Sequence, residues 1–331
     1  MSSEAAPARV LLVGQGPTAA SALSSLLARH QLVGLVRAAP DGDPVVLAAH
    51  AAGAPVHGDV ALSALHRLIV DVQPDCVVVS SYDRVLPPAM LGLAAFVNVH
   101  YSPLPRYRGR ANVNWAIING EDHAAISVHT LVPNLDAGGV LFQETVPIGP
   151  RTTATDLYAT LNALQHRELG PAVSRRLAGE AGVPQDEAQA TYGCTRTPED
   201  GELDWGASTD VLDRLVRGLT PPAPGAFTYL GLQRLWVDRA EPAPEPDRFE
   251  GRVPGRVSRV ARDQGWVDVL SGDGVLRLHD VRLEDGTPAR AADVVRSVRA
   301  TLGLRTTDLL AELRHLRRLS GDGGGASDPG A

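Results

Sequence analysis

Apolar positions in the first half of the chain come in short blocks broken by glycine, proline and charged residues. Arg9–Gly14 (RVLLVG) is an apolar run that stops at a glycine, the pattern of a strand running into a tight turn. Pro17 then suits the first turn of a helix in which Leu23, Leu26 and Leu27 share a face. Gln31–Val36 (QLVGLV) predicts a second strand, Val45–Ala52 a short helix, and Asp75–Ser80 (DCVVVS) a third strand. The last is continuous in apolar residues, as a strand covered on both sides should be. Strands alternating with helices imply an α/β layer on a largely parallel sheet. A long helix follows over Thr155–Leu177, with Leu157, Leu161 and Leu164 on one face.

The rhythm changes after residue 190. Leu235–Val237, Val253–Val260, Trp266–Leu270 and Val275–Leu278 are short runs separated by Gly, Pro and Asp, which predicts a small β domain. A helix at Thr209–Gly218 connects to it, and Pro242–Pro246 reads as a surface loop. Thr307–Leu319 predicts an amphipathic helix with Arg314, Arg317 and Arg318 in its last turns, where cations favour the dipole. Its stripe of Leu309, Leu313 and Leu316 can pack on the β domain or pair across a homodimer. Gly321–Ala331 is a Gly-rich tail expected to be disordered. The expected division is therefore residues 1–190, 191–304 and 305–331, with no internal repeat.

Length agrees, since 331 residues suit about two domains. No apolar run reaches the roughly 18 residues of a membrane span, and the start MSSEAAPAR lacks a signal peptide's basic segment. A soluble cytoplasmic protein is expected. Cys76 and Cys194 are too few for a disulfide framework and lack metal-ligand spacing. All 31 basic residues are arginine, which excludes Schiff-base lysine chemistry and a P-loop. The net charge is −7, and both halves are acidic: 12 Arg against 16 Asp and Glu in residues 1–190, then 19 against 22. That balance argues against nonspecific nucleic-acid binding.

Two stretches carry candidate chemistry. Gly14-Gln-Gly16-Pro-Thr-Ala19 fits a relaxed dinucleotide fingerprint, but no acidic residue ends the second strand to hold a ribose, so a structural turn is the stronger reading. Phe96–Gln143 says more. Asn98 and His100 alternate on one strand and so leave the same face. Ser102–Gly109 must then leave regular structure, and Asp136 sits beside Ala137-Gly138-Gly139 in a second turn. An amide, an imidazole and a carboxylate beside loops suit an acyl-transfer site. Singly, each is also an ordinary turn, cap or buried polar residue. No histidine shows zinc-ligand spacing, so no metal is assigned.

In order, Asn-x-His, Ser-x-Leu-Pro-x-Tyr-Arg-Gly and Leu-Asp-Ala-Gly resemble the signature of the 10-formyltetrahydrofolate-dependent formyltransferases. Arg196–Trp205 and Pro224–Phe227 resemble landmarks of their C-terminal domain, so the likeness spans residues 8–304. It implies a Rossmann-like formyltransferase domain followed by a small OB-like β-barrel domain, with 10-formyltetrahydrofolate as donor and a primary amine as acceptor. It also implies that Asn98, His100 and Asp136 are catalytic. The first two would stabilise an oxyanion, and Asp136 would hold His100 and help remove the amine's proton. The pterin loop would be Ser80–Pro87, with Tyr82, Val85 and Leu86 as candidates and Ser102 and Leu104 beyond. For Val85 and Leu86, simple core packing is the competing reading. Pro103 and Asn112 depart from the usual leucine and proline.

Acceptor identity turns on charge. Members acting on initiator methionyl-tRNA carry a long basic insertion after the second strand, where this chain has the short, acidic Arg37–Pro44. Tyr107–Glu121 instead resembles formyltransferases of nucleotide-linked amino sugars, with Tyr107, Arg108 and Arg110 as candidate acceptor ligands. The two arginines can equally pair with Glu121 or Asp122. A small-molecule amine is therefore expected. Initiator tRNA is the alternative, and a noncatalytic folate- or nucleotide-binding module is a third reading.

Overall fold

The computed structural model describes residues 6–319, so the Gly-rich tail lies outside the described residues. The chain divides into two compact units between Arg196 and Thr197, six residues later than the sequence suggests.

The first unit is built on β1 (Arg9–Gly14), α1 (Ala19–Leu27), β2 (Gln31–Val36), α2 (Pro44–Ala51), β3 (Val56–His57), α3 (Leu62–Val72), β4 (Cys76–Ser80), α4 (Pro88–Leu91) and β5 (Ala95–His100). After these come β6 (Arg108–Gly109), α5 (Asn112–Ile118), β7 (His123–Thr130), β8 (Val140–Pro147), α6 (Ala154–Leu177) and β9 (Tyr192–Gly193). Seven strands form one sheet in the order β3-β2-β1-β4-β5-β7-β8. β1 to β5 are parallel, while β7 and β8 run antiparallel on the far side of β5. Every residue of β4 is buried, which is why its sequence is unbroken in apolar residues.

Three local differences have physical causes. Pro17 precedes α1 rather than entering it, because Thr18 is the N-cap residue. Of the three leucines on α1, Leu23 and Leu26 are buried and Leu27 stays at the rim. β3 is two residues long and is set by its pairing with β2, whereas α3 is plainly amphipathic over Leu62, Leu65 and Ile69 and is a helix absent from the spans expected above. The later boundary has a cause too. β9 pairs with β6 (Tyr192 with Arg108, Gly193 with Gly109), which ties residues 192–193 into the first unit.

The second unit contains α7 (Thr209–Gly218), β10 (Ala226–Leu230), β11 (Gln233–Pro242), β12 (Val257–Ala261), β13 (Trp266–Leu270), β14 (Val275–Arg282), β15 (Pro288–Arg290), α8 (Ala291–Val294) and α9 (Thr306–Leu319). Its antiparallel sheet has the order β10-β11-β14-β13-β12, with β15 added to β14. Leu302 bridges to Leu230 at the end of β10, and Thr301 bridges to Arg256 just before β12. One segment thus links both sheet edges and curls the sheet towards a barrel. Pro242 ends β11 instead of opening a loop. In α9 no residue is buried, and Leu309, Leu313 and Leu316 are all exposed.

Candidate active site

Parallel strands release their ligand-binding loops at their carboxyl ends, beside the point where strand order reverses. Here that point lies between β1 and β4, and the loops after β1, β4 and β5 line a cleft of about 700 Å³ within the first unit. Gly16 lets two of these loops meet, since a Cβ there would lie 2.5 Å from Ser81 Cβ. Gln15 N–H donates to Ser81 O at 3.0 Å, and Arg37 donates to Gly14 O at 3.0 Å. The relaxed fingerprint is thus a packing turn held from behind by Arg37, and its residues Gln15–Thr18 also line the cleft.

Asn98 and His100 sit two residues apart at the end of β5. In the β5–β7 register Asn98 faces His129 and His100 faces Ser127, which brings His129 into the site. Asp136 enters from the β7–β8 connection at φ +50°, a left-handed conformation that aspartate tolerates better than most residues. Close approach forces the next part of the turn: a Cβ on Gly138 would lie 1.7 Å from Thr130 O.

These side chains form one buried cluster. Asp136 Oδ2 accepts from Gly109 N–H at 2.8 Å and lies 3.6 Å from His100 Nδ1. Its Oδ1 lies 3.5 Å from Asn98 Nδ2 and 3.7 Å from His129 Nε2. His100 Nε2 is 2.8 Å from Tyr107 O, and a carbonyl can only accept, so that nitrogen carries a hydrogen. The Asn112 side-chain amide lies 2.9 Å from the same nitrogen. Nδ1 is thus the nitrogen that faces the carboxylate. His129 Nδ1 lies 2.8 Å from Thr130 O and carries a hydrogen by the same reasoning, which leaves Nε2 to accept from Asn98 Nδ2 at 3.1 Å. Complete burial pushes the pKa of His129 down to about 4, against the pull of the Asp136 charge. A neutral His129 therefore fixes which way the Asn98 amide faces.

Chemically, the cluster offers a carboxylate, an imidazole able to carry a second proton on Nδ1, and an amide N–H held only weakly at 3.5 Å. It suits proton transfer next to a developing oxyanion.

Two family models match the chain: formyl transferase over residues 15–173 and formyl transferase, C-terminal domain, over residues 196–299. Together they cover well over half of it. The chain belongs to the formyl transferase family. Solved structures share the fold. HypX from Aquifex aeolicus in complex with tetrahydrofolic acid is 19% identical at a TM-score of 0.65, the match covering 88% of this chain and 48% of that one. The chain thus spans about half the length of HypX. A likely sugar N-formyltransferase from Mycobacterium tuberculosis is 19% identical at a TM-score of 0.55, over 66% of this chain and 91% of that one. Methionyl-tRNA formyltransferase from Clostridium thermocellum is 15% identical at 0.55, over 71% and 93%.

The remaining binding candidates of this formyl transferase divide into two groups. Tyr82, Val85, Leu86 and Arg110 line the cleft. Val85 is 70% exposed there, whereas Leu86 is also part of a buried apolar cluster, so core packing describes only Leu86. Ser102, Leu104, Tyr107 and Arg108 do not line it. Ser102 is buried and donates to Arg106 O, and Leu104 is core. The Tyr107 hydroxyl turns away to Glu121 at 2.6 Å. The Arg108 guanidinium is buried against Gln185 and Glu187, and it is Arg106 that pairs with Glu121. The sequence showed these charges but not their direction. His129 shows no metal-ligand spacing in the sequence, and nothing there places it at the site, because that depends on strand register.

Proposed function

We propose that this protein transfers a formyl group from 10-formyltetrahydrofolate to a primary amine on a small molecule, most simply a nucleotide-linked amino sugar or a related biosynthetic precursor. The convergence of Asn98, His100 and Asp136 at the base of one cleft carries the reading.

The cleft suits a folate donor. No backbone group of Tyr82–Leu86 bonds to another backbone group among the described residues, so this loop has donors and acceptors free to read the edge of a planar heterocycle. Exposed Val85 adds an apolar surface beside them. The bound donor would supply an activated formyl carbon. Asn98 Nδ2 can exchange its weak contact with Asp136 for the formyl oxygen as charge develops there. Each such donor contributes about 10²–10³ in rate. His100, with Nε2 on Tyr107 O and Nδ1 facing Asp136, places its ring beside the formyl oxygen and relays a proton to or from the carboxylate rather than donating to the oxyanion. Asp136, held by Gly109 N–H, takes a proton from the amine as the amine nitrogen bonds to the formyl carbon. It returns a proton to N10 as the intermediate collapses and the N10–carbon bond breaks, releasing tetrahydrofolate and the N-formyl product.

A small acceptor is favoured over tRNA by the state of the Arg37–Pro44 segment. Its one arginine is bound by Asp43 at 2.8 Å and is only 12% exposed, so it offers phosphate nothing. Arg110 at the cleft supplies positive charge for a smaller anion. The test is incubation with formyl donor and either a panel of amino sugar nucleotides or charged initiator tRNA. Formylated sugar is the expected product. Formylated tRNA as sole product would reverse the acceptor, and no transfer to any amine would leave a binding module.

A further inference from the structure

Behind the cleft, Arg108, Gln185 and Glu187 form a polar chain that ends on the backbone of the Asp136 turn. Arg108 is 1% exposed, and its Nη1 and Nη2 donate to the two Glu187 oxygens at 2.8 and 2.6 Å. Nη2 and Nε also reach Gln185 Oε1, at 2.8 and 3.3 Å. Those contacts commit the Gln185 oxygen to arginine, which fixes the other end of the amide. Gln185 Nε2 then donates to Asp136 O at 2.7 Å and to Gly138 O at 2.8 Å. Both of its hydrogens are used. The two carbonyls flank Ala137, next to the residue in left-handed conformation.

We propose that Gln185, oriented by Arg108, is a positioning residue: it holds the turn so that the Asp136 carboxylate stays on Gly109 N–H and beside His100. This rests on reading Asp136 as a catalytic group. Packing alone does not explain the arrangement, because Leu135 beside the turn is 47% exposed. The glutamine supplies shape instead, closing two carbonyls with one amide. The clamp keeps its charge across ordinary pH: hydrogen bonding to Glu187 raises the pKa of Arg108, and Arg108 in turn holds Glu187 below the usual carboxylate range. Acting through the Asp136 backbone, Gln185 should govern turnover rather than donor or acceptor affinity.

Two variants test this. Gln185→Glu keeps the shape and the oxygen facing Arg108, but removes both donors and turns an oxygen on two carbonyls. Glu187→Ala, at the exposed end, loosens Arg108 without touching the turn. The readouts are kcat, KM for both substrates, and amide hydrogen exchange of Gly109 in the ligand-free protein. Gln185→Glu should lower kcat by about 30- to 100-fold with both KM values within about threefold, since small misplacements of catalytic groups cost that much. Gly109 exchange should quicken by about tenfold or more while β4 amides keep the parent's protection. Glu187→Ala should move both readouts the same way, by about three- to tenfold. If β4 also loses protection in Gln185→Glu, Glu187→Ala decides by the same two readouts. The inference is overturned if kcat and Gly109 exchange stay within about twofold of the parent. Gly109 exchange needs no substrate, so a parent that formylates nothing would sink the functional reading while leaving this test intact.

Discussion

Asp136 is held in a left-handed backbone conformation with its carboxylate divided between Gly109 N–H and two histidines. Asp136→Asn preserves that shape and deletes the charge, so kcat should fall by about 10²–10³ while donor affinity changes little. Steady-state rates and donor titration check it. His129 gives a pH signature. Its folded pKa lies below the ordinary value of 6.5, so the unfolded chain binds the extra proton first, and the stabilising contribution is lost as pH falls from about 6.5 towards 4. Unfolding free energy should drop there by at most about 1.4 kcal/mol per pH unit more steeply in the parent than in His129→Gln. Denaturant curves at several pH values measure the difference. Val85→Asp, at an exposed position, should leave stability within about 0.5 kcal/mol and weaken donor binding by about tenfold. Asn98, His100 and Asp136 stood out through their place in the ordered family signature, since each alone reads as an ordinary turn, cap or buried polar residue. Arg108 was misread because a sequence shows a guanidinium but not the glutamate almost 80 residues on that buries it.

At the scale of elements, strands with continuous apolar runs were legible: β1 and β2 begin and end where the pattern places them, and β4 lacks only Asp75. α7 likewise matches its predicted span, with Ser208 as the N-cap. β3 and β9 were not, because two-residue strands are defined by their partners rather than by their own side chains. The same holds for the strand order that sets β7 against β5 and so delivers His129 and the Asp136 turn to one place. That delivery depends on Gly138. Ala at this position puts a Cβ on a backbone oxygen with no side chain to yield. Gly138→Ala should therefore displace the turn, costing about 3 kcal/mol or more of stability and about 100-fold or more in kcat. Thermal melts and rates measured on the same sample decide.

Across the whole molecule, an acidic chain without lysine carries its cluster on the first unit, with a curled antiparallel sheet in the second. Net charge of −7 and a neutralised Arg37 predict that added tRNA inhibits transfer to a small amine weakly. Most of the two-unit architecture could be read from the change of pattern near residue 190, but the closing of the sheet edges through Thr301 and Leu302 rests on two bridges between distant segments. Formyl transfer by the Asn98, His100 and Asp136 cluster is tested most directly by the amine-dependent release of tetrahydrofolate, measured for the parent and for Asp136→Asn under saturating donor. Release that requires the amine and falls by about 10²–10³ in the variant is the predicted result. Equal rates in the two proteins, within about threefold, would contradict it.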